Sequence, residues 1–370
     1  MKIVVTGTRG IPEIQGGVET HCQELYPRLA AMGHDVTIIR RSSYIAENPP
    51  LKEYKGVKLV DVYAPRKKSI EAILHTFLAV IKAKRLKPDI LHIHAIGPGL
   101  MVPFARMLGL NVVTTNHGPD YDRKKWGKIA GMALRTGEKF SARWSNQVIV
   151  ISHVIAKILA DKYRRTDTNL IYNGANPPDK SNNTDYIQSL GLTPQKYVVA
   201  LGRFVEEKGF HDLIDAFSKL APGGGIKLAI AGDADHEDAY SRRLKEMAHQ
   251  HNIVLTGFIR GEKMNQLMSN AALFCLPSYH EGLPIVLLEA MSYGLDVAVS
   301  DIPANRIPEL LPTDFYPVGN TDALAKLLAE KLNNHTFPRI YNMDNYNWDV
   351  IARQTERVYQ KILEPNKTHK

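Results

Sequence analysis

KIVVTGTRGIPEIQGGVETHCQELYPRLAAMGHDVTIIRR, residues 2–41, sets a short apolar run, a glycine-rich loop, a helical stretch and a second apolar run in succession. This is one strand–helix–strand unit of a parallel sheet. The rhythm continues through DILHIHA, NVVTTNH and NQVIVIS at 89–95, 111–117 and 146–152. Buried parallel strands read as continuous apolar runs rather than alternating ones, and these do. Residues 174–195 are rich in Asn, Pro, Asp, Ser and Thr and read as a linker. KYVVALGR then opens a second series, followed by IKLAIAGD, NIVLTGF, LFCLPS and DVAVSD. The expected fold is α/β, with two tandem Rossmann-like doubly wound domains facing a cleft. The first covers 1–172 and the second 173–349, with a terminal amphipathic helix over 350–370 returning to the first.

A chain of 370 residues suits two domains. With 44% apolar and 23% charged residues the composition is that of a globular protein. Cys22 and Cys275 fall in unrelated segments and support neither a disulfide framework nor a zinc site, so a reducing, cytoplasmic setting is expected. MKIVVTGTRG reads straight into a strand, so no signal peptide is expected. The longest apolar window, Ile70–Ile81, is interrupted by His75 and falls short of the roughly 20 residues of a membrane span. The net charge of +9 is unevenly divided: residues 1–180 hold 28 Lys and Arg against 15 Asp and Glu, and the remainder carries −4. The clusters Arg66-Lys67-Lys68, Lys82 to Lys87, Arg123-Lys124-Lys125 with Lys128, and Lys162 to Arg165 point to an anionic partner. Anionic lipid at the inner face of the membrane fits; nucleic acid does not, for want of stacking aromatics or a binding motif.

In such sheets ligands bind beyond the carboxyl ends of the strands, at helix N-termini. After the first strand come Gly7, Gly10, Gly16 and Gly17. Their spacing is not the G-x-G-x-x-G of a dinucleotide site, and the second strand ends on Arg40-Arg41 rather than an acid, which weakens an NADP-dependent oxidoreductase without excluding it. Gly16 and Gly17 can instead bring backbone N–H groups close to a phosphate. In GRFVEEKG, Arg203 and Lys208 suit a diphosphate, arginine as a fork and lysine as a point charge. HEGLPIVLLE, residues 280–289, places Glu281 before the turn Gly282-Leu283-Pro284 and Glu289 inside an apolar helix expected to run from Pro284 to Gly294. A carboxylate there needs a partner or a ligand.

HEGLPIVLLEAMSYG resembles the E-x7-E signature of the retaining glycosyltransferases of family 4, which have the GT-B fold. GTRGIPEIQGGVETH, PDILHIHA, NHG, IYNGAN, LGRFVEEKGF, IAGDAD, LTGF and NYNWDVIARQ extend the likeness over nearly the whole chain. The resemblance implies a nucleotide-sugar donor, UDP-linked by default. It implies an acceptor that is a saccharide or a lipid-diphosphate-linked saccharide, in polysaccharide or glycolipid assembly. By the same likeness Glu281, with the N–H groups of Gly282 and Leu283, meets the donor sugar; Glu289 binds the ribose; Arg203 and Lys208 hold the diphosphate. Gly17, with Gly16, approaches the phosphate; His117 sits beside the transferred sugar; the backbone at Phe258 and Ile259 meets the base. No cofactor and no metal are expected. His92 and His94 read as one core-facing and one cleft-facing residue, and Asp233 and Asp235 as the nearest approach to a metal-binding Asp-x-Asp element. A nucleotide-sugar epimerase, and a nucleotide-binding protein without turnover, are the other readings.

Overall fold

The computed structural model describes residues 1–45, 49–65, 71–119, 121, 127–220, 225–235, 237–334 and 337–364. The chain forms two compact units, Met1–Gly174 with Asn345–Lys370, and Ala175–Asp344.

The first unit is built on eight strands: β1 (Lys2–Thr6), β2 (Asp35–Arg41), β3 (Glu53–Tyr54), β4 (Val57–Val62), β5 (Ile90–His94), β6 (Val112–Asn116), β7 (Gln147–Val150) and β8 (Asn169–Leu170). Their order is β3-β4-β2-β1-β5-β6-β7-β8, parallel throughout except for the β3–β4 hairpin. The order reverses between β1 and β5, so the loops leaving those strands diverge there. Val4, Ile39, Leu91, Ile93 and Val112 form the core of one face with Ala79, Val80 and Ala83 of the helix Glu71–Leu86. That helix contains most of the apolar window of the sequence, and no helix among the described residues is long and apolar enough to cross a membrane. The helix Trp348–Leu363 packs on the helix Gly17–Ala31, with Arg28 donating to Asp349 at 2.9 Å.

The second unit holds β9 (Tyr197–Leu201), β10 (Lys227–Ala231), β11 (Val254–Gly257), β12 (Leu273–Leu276), β13 (Asp296–Ser300) and β14 (Phe315–Tyr316). All are parallel, in the order β11-β10-β9-β12-β13-β14. This is the doubly wound arrangement, and its reversal lies between β9 and β12. Every strand residue of β9, β12 and β13 is buried, which is why these segments read as unbroken apolar runs.

Candidate active site

In the second unit the residues singled out by sequence gather on the loops at the carboxyl edge. The loop after β9 and the loop after β12 meet at the reversal. Gly209 holds φ 64°, and a Cβ there would lie 2.1 Å from the Pro277 carbonyl oxygen, so only glycine lets the two backbones approach. The Tyr279 N–H donates to the Glu207 carbonyl at 2.8 Å and ties the loops again. Between these fastenings Lys208 donates to Glu281 Oε1 at 2.6 Å. Ser278 Oγ donates to the same oxygen at 2.6 Å, while the Ser278 carbonyl accepts from the buried Ser300 hydroxyl. The Lys208 and Glu281 side chains keep 19% and 11% of their surface, so a ligand can reach the pair.

Arg203, directly after β9, donates to Asp235 of the next loop at 2.8 Å. Asp233 takes Lys245 at 3.0 Å. The two aspartates that most resembled a metal-binding element are thus divided between two cations. Phe258 is 46% exposed with the Arg260 guanidinium 4.7 Å above its ring, whereas Ile259 is buried.

The apolar helix runs Ile285–Tyr293, from Pro284 without a side-chain cap to Gly294 in the left-handed region. It is not buried all round. Leu287, Leu288, Ala290 and Met291 are buried, but Val286, Glu289 and Ser292, three residues apart, form one partly open stripe. Glu289 therefore reaches solvent from within an Ile-Val-Leu-Leu run, and the desolvation that the sequence suggested is largely avoided.

In the first unit Gly16 and Gly17 open the helix Gly17–Ala31, again without a side-chain cap. They differ in surroundings. A Cβ on Gly16 would lie 2.2 Å from Glu19 Oε2, whereas nothing stands within 4 Å of one on Gly17. Glu19 folds back on the loop, its Oε1 accepting from the Arg9 N–H at 3.0 Å and from Thr8 Oγ1 at 3.2 Å. Gly16 makes room for that brace, and Gly17 is the open position.

His117 follows β6. His21, one turn into the same glycine-led helix, meets it edge-on at 5.0 Å between centroids. His94 Nδ1 bonds His117 Nε2 at 2.9 Å, and His94 Nε2 bonds the Tyr26 hydroxyl. His92 stacks on His94 at 4.3 Å and bonds Thr115, Tyr26 and Tyr359. His92 and His94, read as one core-facing and one near the cleft, are both fully buried. Strand residues two apart share a face, so no orientation of β5 could have separated them. Burial pushes His21 down to about 4, against the Asn173 hydrogen bond that raises it, and His92 to about 3, with the His21 charge adding to the effect. Burial, then neighbouring imidazoles, hold His94 and His117 well below the ordinary value. The cluster is neutral at neutral pH.

Ring nitrogens of His21, His94 and His117 lie within 4.8 Å of one another, the one set of three among the described residues that converges as metal ligands do. Two imidazoles on a tetrahedral zinc stand about 3.3 Å apart. The 2.9 Å between His94 and His117 is a hydrogen-bond distance instead. His21, Tyr26, Ser278 and Asn173 were not singled out by sequence; His21 alone carried a signal, being four residues after Gly17 in the same segment. The basic runs 66–68 and 123–125 lie outside the described residues. Lys162 is engaged with Tyr121, donating to its hydroxyl at 2.8 Å.

Two family models match the chain: Glycosyltransferase Family 4 over residues 15–178, and Glycosyl transferases group 1 over residues 182–347. An uncharacterised glycosyltransferase of Methanocaldococcus jannaschii is 28% identical, the match covering 98% of this chain and 99% of that protein. Among solved structures, sucrose-phosphate synthase from Thermosynechococcus elongatus superposes with a TM-score of 0.82 at 22% identity, over 98% of this chain and 99% of that one. HepE of Anabaena, in complex with UDP-glucose, superposes with a TM-score of 0.75 at 19% identity, over 98% of each chain. The shared architecture is GT-B.

Proposed function

Since this chain belongs to the family 4 glycosyltransferases, we propose that it moves a sugar from a nucleoside-diphosphate sugar to a saccharide or lipid-linked saccharide, with retention of anomeric configuration. The observation that carries the reading is the Lys208–Glu281 pair at the strand reversal, with Arg203 beside it on the same loop. Anomeric transfer builds negative charge on the leaving diphosphate. Two cations whose carboxylate partners come from neighbouring loops can turn to the diphosphate when the donor binds, and so already face the leaving oxygen before its charge develops. They supply what a divalent metal supplies elsewhere, and this supports metal-independent transfer.

Glu281, freed from Lys208 by the incoming diphosphate, accepts from the sugar hydroxyls while Ser278 keeps it oriented. Glu289, on the open stripe of its helix, takes the ribose. His117, neutral and packed against His21 of the helix that Gly17 opens, lies beside the transferred sugar, and the segment Phe258-Ile259 meets the base. Retention follows a same-face route: the departing phosphate oxygen takes the acceptor proton as the new glycosidic bond forms. The UDP-glucose held by HepE supports a uridine donor as the first to try. Contact with anionic lipid draws support from the helix Lys128–Trp144, whose exposed face carries Lys128, Met132, Arg135 and Lys139.

Thermal-shift titration with UDP, GDP, TDP and NADP, with and without EDTA, tests the reading. The expected result is stabilisation by one nucleoside diphosphate, indifferent to EDTA and lost in Arg203→Ala. Stabilisation by NADP alone, or inversion in the product's anomeric NMR signal, overturns it.

A further inference from the structure

His117 ends a chain of hydrogen bonds that runs into the core: Thr115 to His92, His92 to Tyr359 and Tyr26, Tyr26 to His94, His94 to His117. All these groups but His117 are buried, so each must place its one proton on a partner inside the chain. With the His92 proton on Nε2 and donated to Thr115 Oγ1 at 2.7 Å, Nδ1 has one lone pair and two hydroxyls against it, Tyr359 at 2.7 Å and Tyr26 at 3.0 Å. The nearer hydroxyl, Tyr359, takes it. Tyr26 is in hydrogen-bond contact with Tyr359 as well, but His94 Nε2 is its closest polar neighbour and a stronger acceptor than a phenol oxygen, so the Tyr26 O–H goes to His94. A phenol is a stronger acid than a neutral imidazole N–H, and the imidazole nitrogen is the better acceptor, so this direction is favoured over its reverse. With Nε2 of His94 occupied as an acceptor, its proton stands on Nδ1 and is donated to His117 Nε2.

We propose that Tyr26, acting through His94, fixes His117 as the Nδ1–H tautomer, so that His117 enters the site as a neutral donor from that nitrogen. Tyr26 and His94 are positioning residues; neither touches substrate. This deepens the glycosyltransferase reading and rests on it for its catalytic consequence, though the tautomer can be observed without any substrate. A fixed tautomer spares the enzyme the proton rearrangement that a free imidazole, with two forms of similar energy, would need before each turnover.

The test is long-range 1H–15N spectroscopy of the full chain labelled with [15N]histidine, the His117 signals being assigned by their loss in His117→Ala. The wild-type chain should show Nδ1 protonated and Nε2 bare. Tyr26→Phe, which keeps the ring and removes the hydroxyl, should mix the tautomers or invert them, and His94→Phe should do the same by a second route. In transfer assays Tyr26→Phe should lower kcat about tenfold with KM within about twofold, the scale of one ordinary hydrogen bond lost in the transition state. Nε2–H at His117 in the wild type, or an unchanged tautomer in both variants, overturns the proposal. A chain with the expected spectrum that transfers no sugar supports the tautomer and refutes the assigned function.

Discussion

Lys208 and Glu281, 73 residues apart in sequence, share a 2.6 Å ion pair at the point where the strand order of the second unit reverses. Each is a group the proposed chemistry needs, and each holds the other until a ligand arrives. Glu281→Gln should lower kcat/KM by about a hundredfold, the cost of losing one preorganised polar contact at a reacting centre. Folding stability should fall by only about 1 kcal/mol, because Lys208 keeps access to water. Steady-state kinetics and urea unfolding of the same preparation check both halves.

Two glycines should respond oppositely to alanine. Gly209→Ala puts a methyl into the Pro277 carbonyl in a left-handed conformation, and a loss of about 3 kcal/mol or more is expected in urea unfolding. Gly17→Ala meets open space in the first turn of a helix and should gain up to about 1 kcal/mol. In the proposed function the same methyl would stand where a phosphate approaches, so nucleoside diphosphate affinity should drop, as calorimetry would show.

Buried neutral histidines make stability depend on pH with a definite sign. His21 and His75 are both pushed down to about 4, chiefly by burial. Between their unfolded value near 6.5 and about 4, the unfolded chain binds protons that the native chain refuses. Their contribution is complete above about pH 6.5 and is lost as pH falls toward 4, at most roughly 3 kcal/mol for each. Denaturant midpoints measured from pH 7.5 down to 4.5 should fall steadily. His75→Leu should flatten the slope, and a midpoint independent of pH would contradict the burial of these rings.

The exposed face of the helix Lys128–Trp144 sets Met132 among Lys128, Arg135 and Lys139, with Ile129 87% exposed beside them. Sedimentation with vesicles of anionic lipid should pull the chain down at low salt and release it as salt rises. Lys128→Glu with Arg135→Glu should abolish the binding, at about 1 kcal/mol per charge removed. Equal binding to neutral vesicles would count against the charge-based account.

The fold was legible because the strands are buried on both faces and so read as apolar runs. The helix after Glu281 was legible at both ends because Pro284 and Gly294 act through their own backbone chemistry. What lay between was less so. A stripe at 286, 289 and 292 was hidden by the flanking Leu and Ile, and the solvent path of Glu289 with it. The pairs Arg203–Asp235 and Lys208–Glu281 depend on β9 lying between β10 and β12, a neighbourhood that spacing does not encode. The histidine cluster was least legible. Its members at 21, 92, 94 and 117, with Tyr26 and Tyr359, come from four separate elements that only the first sheet and its covering helices bring together.

The helix Trp348–Leu363 completes the unit that begins at Met1, and Gly174 lies against Trp348 so tightly that a Cβ would come within 2.7 Å of its ring. On the ribosome this imposes an order on birth. The second unit, continuous from 175 to 344, has all its strands before the last helix is made. The first unit, begun earliest, must wait with the Tyr359 side of its histidine cluster uncovered until the helix Trp348–Leu363 has been made. A stop codon just before Trp348 would therefore spoil the unit made first and spare the one made after it.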